Sequence, residues 1–229
     1  MTKSPQEIAV HLDLANHHAD ATPENVKAVC GNVLRWGLNA AFVNPCYIAI
    51  ANDALEGRAK VGTAVSFPLG QDTLAMKVAS ACEAVRLGAD ELDIVPNNGL
   101  LLTENGLGQY RQELQTIVDA TKAARADVVV KFIIETGFLE ELLIQRAAEA
   151  ILASGADFIK ICSGMGPRGA SLDDVRLIKE AVGGAPIKIK VAGGIDTIGE
   201  VHAFLAAGAD RIGTSRAVAI MEQAGKYTS

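Results

Sequence analysis

Short β-branched runs alternate with longer helical patterns from one end of the chain to the other, and that alternation leaves few folds open. The runs fall at 8–14, 40–44, 59–66, 91–95, 128–135, 158–162, 187–192 and 211–213; the clearest helical stretches between them cover 72–87, 104–124, 139–153 and 172–182. Strand–helix alternation implies right-handed crossovers and a parallel sheet. About eight such units close a barrel. No Pro- or Ser-rich linker divides the 229 residues, so the expected architecture is α/β, a (β/α)8 TIM barrel spanning 1–229 as one domain.

Composition narrows the function classes. The chain is 49% hydrophobic, too apolar for disorder, yet no stretch approaches ~20 uninterrupted apolar residues, so no membrane span is expected. A formal charge of −6 argues against nucleic acid as a partner, which needs a basic face, but leaves room for a small phosphorylated ligand. Cys30, Cys46, Cys82 and Cys162 lie far apart, without disulfide or zinc spacing. His17 and His18 are adjacent and point to opposite faces of an extended segment. With only His11 and His202 besides, no metal site is expected, and surface or loop roles are assigned to these histidines. No dinucleotide glycine pattern stands at Gly164-Met165-Gly166, and neither Ser163 nor Ser215 has a histidine at triad spacing; no cofactor is expected. The polar N-terminus lacks the apolar core of a signal peptide, which points to the cytoplasm. The prevalence of two-fold assemblies makes a homodimer the default expectation.

An internal repeat supports the barrel. Gly88-Ala89-Asp90, Gly155-Ala156-Asp157 and Gly208-Ala209-Asp210 each follow an Ala-rich helix and precede a strand. Glycine suits the left-handed position that ends a helix. Three residues beyond each aspartate stand Asp93, Lys160 and Gly213, and equal register predicts equal orientation into the barrel.

Charges inside apolar strands carry the functional information. They are Asp13, Asp93, Lys131, Glu135, Lys160, Lys188 and Lys190. A buried, unpartnered charge costs several kcal/mol, so such groups are paired, solvated or used. Any one of them alone reads equally well as a structural ion pair; together they predict a polar site at the C-terminal strand ends. A lysine near a second cation in a desolvated site has a lowered pKa, and its neutral amine attacks a carbonyl to form a Schiff base. A carboxylate such as Asp93 or Asp13 then moves protons, directly or through water. These are the parts of a metal-independent aldolase. Gly193-Gly194 after the seventh strand, Gly213-Thr214-Ser215 after the eighth and Gly164 after the sixth predict a phosphate grip, with a phosphosugar or aldehyde as substrate.

These residues resemble the deoxyribose-phosphate aldolase family, class I aldolases on a (β/α)8 barrel. The resemblance covers Leu12-Asp13 with Asp20-Ala-Thr22, Phe42-Val-Asn-Pro-Cys46, Ser66-Phe-Pro-Leu-Gly70, Gly88-Ala-Asp-Glu-Leu-Asp-Ile-Val95, Lys131-Phe-Ile-Ile-Glu-Thr136, Gly155-Ala-Asp-Phe-Ile-Lys160, Lys190-Val-Ala-Gly-Gly-Ile195 and Arg211-Ile-Gly-Thr-Ser215. It implies that Lys160 is the Schiff-base lysine, Lys190 the second lysine that depresses its pKa, Asp93 the acid/base partner and Asp13 a further active-site carboxylate. The implied reaction is reversible cleavage of 2-deoxy-D-ribose 5-phosphate to glyceraldehyde 3-phosphate and acetaldehyde. The chain departs from the family pattern at Ile161, at Leu14-Ala15 and at Lys188. It also carries Asp196 where the family commonly has Arg, and Arg216 or Arg168 is the candidate to supply the missing positive charge. The alternatives are a sister aldolase acting on an unphosphorylated aldehyde, a phosphosugar isomerase or epimerase without a covalent step, and a barrel that only binds a metabolite. Tyr227 is a candidate lid over the site.

Overall fold

The computed structural model describes residues 3–226, so Tyr227 lies outside the described residues. In chain order the elements are α1 (Pro5–Ala9), β1 (Leu12–Asn16), α2 (Pro23–Trp36), β2 (Ala40–Val43), α3 (Ile48–Leu55), β3 (Lys60–Val65), α4 (Leu74–Arg86) and β4 (Glu91–Ile94), followed by α5 (Gly106–Ala124), β5 (Val129–Ile133), α6 (Glu141–Ala153), β6 (Phe158–Lys160), α7 (Leu172–Val182), β7 (Lys188–Ala192), α8 (Ile198–Ala207), β8 (Arg211–Thr214) and α9 (Ala217–Lys226). Every strand pairs in parallel with its neighbours in sequence, and β8 pairs with β1, closing the (β/α)8 barrel. No helix among the described residues is long and apolar enough to cross a membrane.

The helices start where short polar side chains can take up free backbone N–H groups. Thr22, Ser171 and Thr197 each accept from the third helical residue, whose own side chain accepts in return from the cap's N–H. Gly37, Gly183 and Gly208 end α2, α7 and α8 with positive φ.

One expected strand is corrected. The apolar run at 8–14 is divided between two elements, because Ser4, Pro5 and Glu7 start a helix that takes Ile8 and Ala9 into its buried face. A short apolar run satisfies burial equally well as helix or strand, and here the capping box decides.

Strand alternation sorts the sheet into two layers. Leu12, Leu14, Val61, Leu92, Ile94, Val130, Phe132, Ile159, Val191 and Ile212 face outward and form the core with the helices. The opposite face, toward the barrel axis, carries Asp13, Phe42, Ala64, Asp93, Lys131, Lys160 and Lys190, so the apolar core of this molecule is a sleeve around a charged interior.

The Gly-Ala-Asp repeat has a second use. Gly88, Gly155 and Gly208 adopt φ of 99°, 77° and 104° as expected. Beyond that, Asp90, Asp157 and Asp210 each accept the first free N–H of the preceding strand, from Val61, Val130 and Ile189 at 2.9, 2.8 and 2.9 Å. Three equivalent carboxylates thus clamp β3 to β4, β5 to β6 and β7 to β8 at the bottom rim.

Candidate active site

The C-terminal ends of the strands open into a cavity of about 260 Å³ whose floor holds Asp93, Lys160 and Lys190. Lys160 and Lys190 are register partners on β6 and β7, which places them side by side on one wall. Lys160 Nζ donates to Asp93 Oδ2 at 2.7 Å, and Lys190 Nζ lies 2.8 Å from Asp93 and 2.8 Å from Asp13. The four residues brought together by sequence are therefore one cluster. Burial is what brings it to life chemically, since each of the four is 4% exposed or less.

The cluster extends downward into a plug. Lys131 contacts Glu91 at 2.5 Å and Asp93 at 3.3 Å, and Arg211 contacts Asp13 at 2.9 Å and Glu91 at 3.4 Å. Three carboxylates in this network face four cationic side chains, so full ionisation leaves one positive charge in excess. Burial pushes the Lys160 ammonium down; Asp93 opposes the shift, and Lys190 and Lys131 add to it. Lys190 moves the other way, because Asp13 and Asp93 together outweigh its burial and raise it. The surplus proton is thus weakest on Lys160. The second lysine contributes to that depression, but desolvation is the larger cause. Burial opposes ionisation of Asp93 as well, yet Lys160, Lys190 and Lys131 hold its carboxyl well below the usual range.

The other candidate residues separate in space. Gly164, Gly193, Gly194, Gly213, Thr214 and Ser215 line the cavity. The Thr214 hydroxyl, however, donates to Ile195 O at 2.8 Å and accepts from Arg216 N at 2.9 Å, so it braces the loop from within. Arg216 stands outside the lining, 3.9 Å from Asp196. Arg168 is held bidentately by Asp174 at 2.7 and 2.9 Å and does not face the cavity. Lys188 is exposed at the start of β7, at the opposite end of the barrel, because the strand's first residue projects past the rim. Lys131 sits below the site in the plug. Glu135, past the end of β5, accepts from Ser163 N at 3.0 Å and so ties down the loop that carries Gly164.

His17, for which a surface or loop role was expected, stands in the loop after β1 and lines the cavity. Burial and the nearby Lys160 lower its pKa to about 4, so the ring is neutral at pH 7. Its ring centroid lies 5.2 Å from that of Phe67, which stands 5.8 Å from Lys160 Nζ. A signal for His17 existed: Asp13, Ala15 and His17 alternate, and period two puts all three on one face. Phe42 carried no such signal. Its ring lies 3.5 Å from Lys190 Nζ and 4.8 Å from Lys131 Nζ, against Gly62, where any Cβ would overlap the ring. Among the described residues no group of three or more His, Cys, Asp or Glu side chains is arranged to hold a metal ion.

Comparison with known proteins agrees with this geometry. The family model for DeoC/LacD family aldolases matches residues 8–221. The chain is 37% identical over 225 residues to a deoxyribose-phosphate aldolase of Caldanaerobacter subterraneus subsp. tengcongensis, covering 96% of this chain and 95% of that one. Among solved structures, the aldolase QR15 superposes with a TM-score of 0.90 at 35% identity over 97% of both chains. The deoxyribose phosphate aldolase of Aeropyrum pernix, described as a unique tetramer, superposes at 0.88 with 28% identity, covering 99% of this chain and 93% of that one. With a lysine pair and an aspartate converging in a closed barrel, and a family match over most of its length, this chain belongs to the DeoC/LacD family of aldolases.

Proposed function

We propose that the chain is a class I aldolase that reversibly cleaves 2-deoxy-D-ribose 5-phosphate to D-glyceraldehyde 3-phosphate and acetaldehyde through an imine on Lys160. The observation that carries this reading is the buried Lys160 amine, its proton weakened by desolvation, standing 2.7 Å from Asp93 on the cavity floor. The neutral amine attacks the C1 aldehyde of the open-chain sugar, and the carbinolamine loses water to give a protonated imine. Removal of the C3 hydroxyl proton, through a water held by Asp93, lets the C2–C3 pair of electrons flow into the iminium. C3 departs as the aldehyde of glyceraldehyde 3-phosphate. The remaining enamine takes a proton at C2, and water hydrolyses it to acetaldehyde and free Lys160. Lys190, kept charged by Asp13 and Asp93, maintains the positive field that favours the neutral amine.

Backbone groups of the Gly193-Gly194 and Gly213-Ser215 loops are the candidates to hold the distal end of the substrate. We infer as well that the enzyme works in cytoplasmic carbohydrate catabolism, where a phosphate ester is retained, and as a homodimer, which light scattering on the purified chain checks.

Borohydride reduction in the presence of acetaldehyde, followed by peptide mass mapping, tests the mechanism. A stable two-carbon adduct is expected on Lys160 and none in Lys160→Ala. An adduct elsewhere, or full turnover by Lys160→Ala, refutes covalent catalysis and favours an isomerase-like use of the carboxylates. Tight sugar binding without any turnover favours a binding protein.

A further inference from the structure

His17 is a polar side chain of the cavity wall to which the imine chemistry gives no task. The loop after β1 holds it in place: His18 N donates to Asn16 Oδ1 at 3.2 Å, and His18 O accepts from Asn44 Nδ2 and Ala21 N at 3.1 and 3.2 Å. The imidazole lies against Phe67; its Nδ1 is covered and has no hydrogen-bond partner, which leaves Nε2 as the accessible nitrogen. Ala15, two residues earlier on the same face, also lines the cavity and brings only a methyl group, so the ring borders open space. Two neighbours fix where along a substrate the ring falls. Toward the floor, Phe67 links it to Lys160, whose Nζ is 5.8 Å from the Phe67 ring. Toward the rim, Leu14 and Thr214 are register partners, so the loop carrying His17 starts beside the loop carrying Ser215. With its pKa lowered to about 4 the ring is uncharged at pH 7, which suits a hydroxyl and not a phosphate. A neutral imidazole offers one donor and one acceptor nitrogen, and a hydroxyl can act as either, so the two pair in both tautomers.

We propose that His17 is a specificity-determining residue that binds the C4 hydroxyl of the open-chain substrate. The inference rests on the aldolase reading above and adds to it a side chain that reads the acceptor half of the bond being made or broken. Between C1 on Lys160 and the phosphate on C5, the substrate carries hydroxyls at C3 and C4. The first is committed to the water held by Asp93, and His17, standing between the lysine and the glycine-loop end, meets the second. In the condensation direction that group is the α-hydroxyl of the acceptor aldehyde. The substrate class selected is therefore an α-hydroxyaldehyde with a terminal phosphate. One hydrogen bond between uncharged groups is worth up to about tenfold in such a comparison.

The test measures kcat/KM for condensation of acetaldehyde with two acceptors, D-glyceraldehyde 3-phosphate and 3-oxopropyl phosphate, which keeps the phosphate and lacks the α-hydroxyl. The proteins compared are the wild type, His17→Leu and His17→Gln. An α-hydroxyl also makes the carbonyl more electrophilic, so the readout is how the ratio of the two acceptors changes between proteins. His17→Leu is expected to lower the preference for the hydroxylated acceptor by about tenfold, with the loss falling on that acceptor alone. His17→Gln, which keeps a donor and an acceptor, is expected to hold the wild-type ratio within about threefold. A ratio that His17→Leu leaves within about twofold, or an equal fall on both acceptors in His17→Leu and His17→Gln, overturns the proposal. Borohydride trapping with acetaldehyde on the same three proteins separates the two levels. Acetaldehyde has no such hydroxyl, so a normal Lys160 adduct with an unmoved ratio sinks the specificity claim alone, while loss of the adduct in the wild type sinks the imine chemistry beneath it.

Discussion

Lys160 and Lys190 are the same residue type, on adjoining strands, at the same depth, and their proton affinities move in opposite directions. The difference lies in their partners. Lys190 touches two carboxylates and Lys160 one, so the single surplus cation of the network is least stable on Lys160. Replacing Lys190 by Met removes a neighbouring positive charge. The acid limb of the pH profile for imine formation is expected to move to higher pH, and the rate at pH 7 to fall by about tenfold or more, each pKa unit being a factor of ten in neutral amine. A limb that stays in place would assign the depression to burial alone. His17 provides a separate readout. Its folded-state pKa of about 4 lies below the usual unfolded value, so between those two pH values the unfolded chain binds a proton that the folded chain does not. Stability contributed by the neutral ring is therefore complete above about pH 6.5 and is lost as pH falls toward 4. Urea unfolding at pH 7 and 5 is expected to show about 1–2 kcal/mol less acid destabilisation in His17→Leu than in the wild type.

At the scale of the element, the recurring Gly-Ala-Asp turns show how one short motif does two jobs. The glycine ends a helix in a conformation other residues resist, and the aspartate two places on clamps the neighbouring strand. The helix-ending function was legible in the repeat itself. The clamp was not, because its partner, such as Ile189 N for Asp210, lies 21 residues upstream and only becomes a neighbour once β7 and β8 pair. Asp210→Ala is expected to cost about 1.5–3 kcal/mol of stability, the range for a lost charged hydrogen bond. The exposed Asp20→Ala should change it by less than about 0.5 kcal/mol. Equal effects in calorimetry would remove the aspartates from the account of why the barrel closes.

Across the whole molecule, the outer shell supports the mouth of the barrel through a contact that no local pattern announces. Lys77 reads as a surface charge on α4, yet it is fully buried, with Nζ 2.6 Å from Gly70 O and 2.7 Å from Glu113 Oε1. The same Glu113 oxygen accepts from Asn97 N at 2.8 Å, so one ion pair ties α4 and α5 to the loops after β3 and β4. The first of those loops carries Phe67, which faces Lys160. Lys77→Met leaves Glu113 buried without its cation, and a loss of about 3–5 kcal/mol is expected. The pair Lys77→Met with Glu113→Leu is expected to recover most of it, since removing both charges removes the uncompensated one; chemical denaturation of the single and double variants checks this.

Much of the architecture was readable along the chain because it rests on local periodicity. Strand–helix alternation, capping residues and positive-φ glycines act over a few residues, and burial of one strand face needs no knowledge of the partner. The presence of Asp93, Lys160 and Lys190 within apolar strands likewise announced a polar interior, since a buried charge without a use or a partner is too costly to keep. The matching of charges was decided in three dimensions. Closing β8 onto β1 brings Arg211 to Asp13, and the pairing of β4 with β5 brings Lys131 to Asp93. Electrostatic energy depends on separation in space and on the exclusion of water, and neither is defined until the barrel shuts. That is why the order of residues named Asp13, Asp93, Lys160 and Lys190, while the parts played by Glu91 and Arg211, the excess of one cation and the neutral His17 belong to the folded molecule alone.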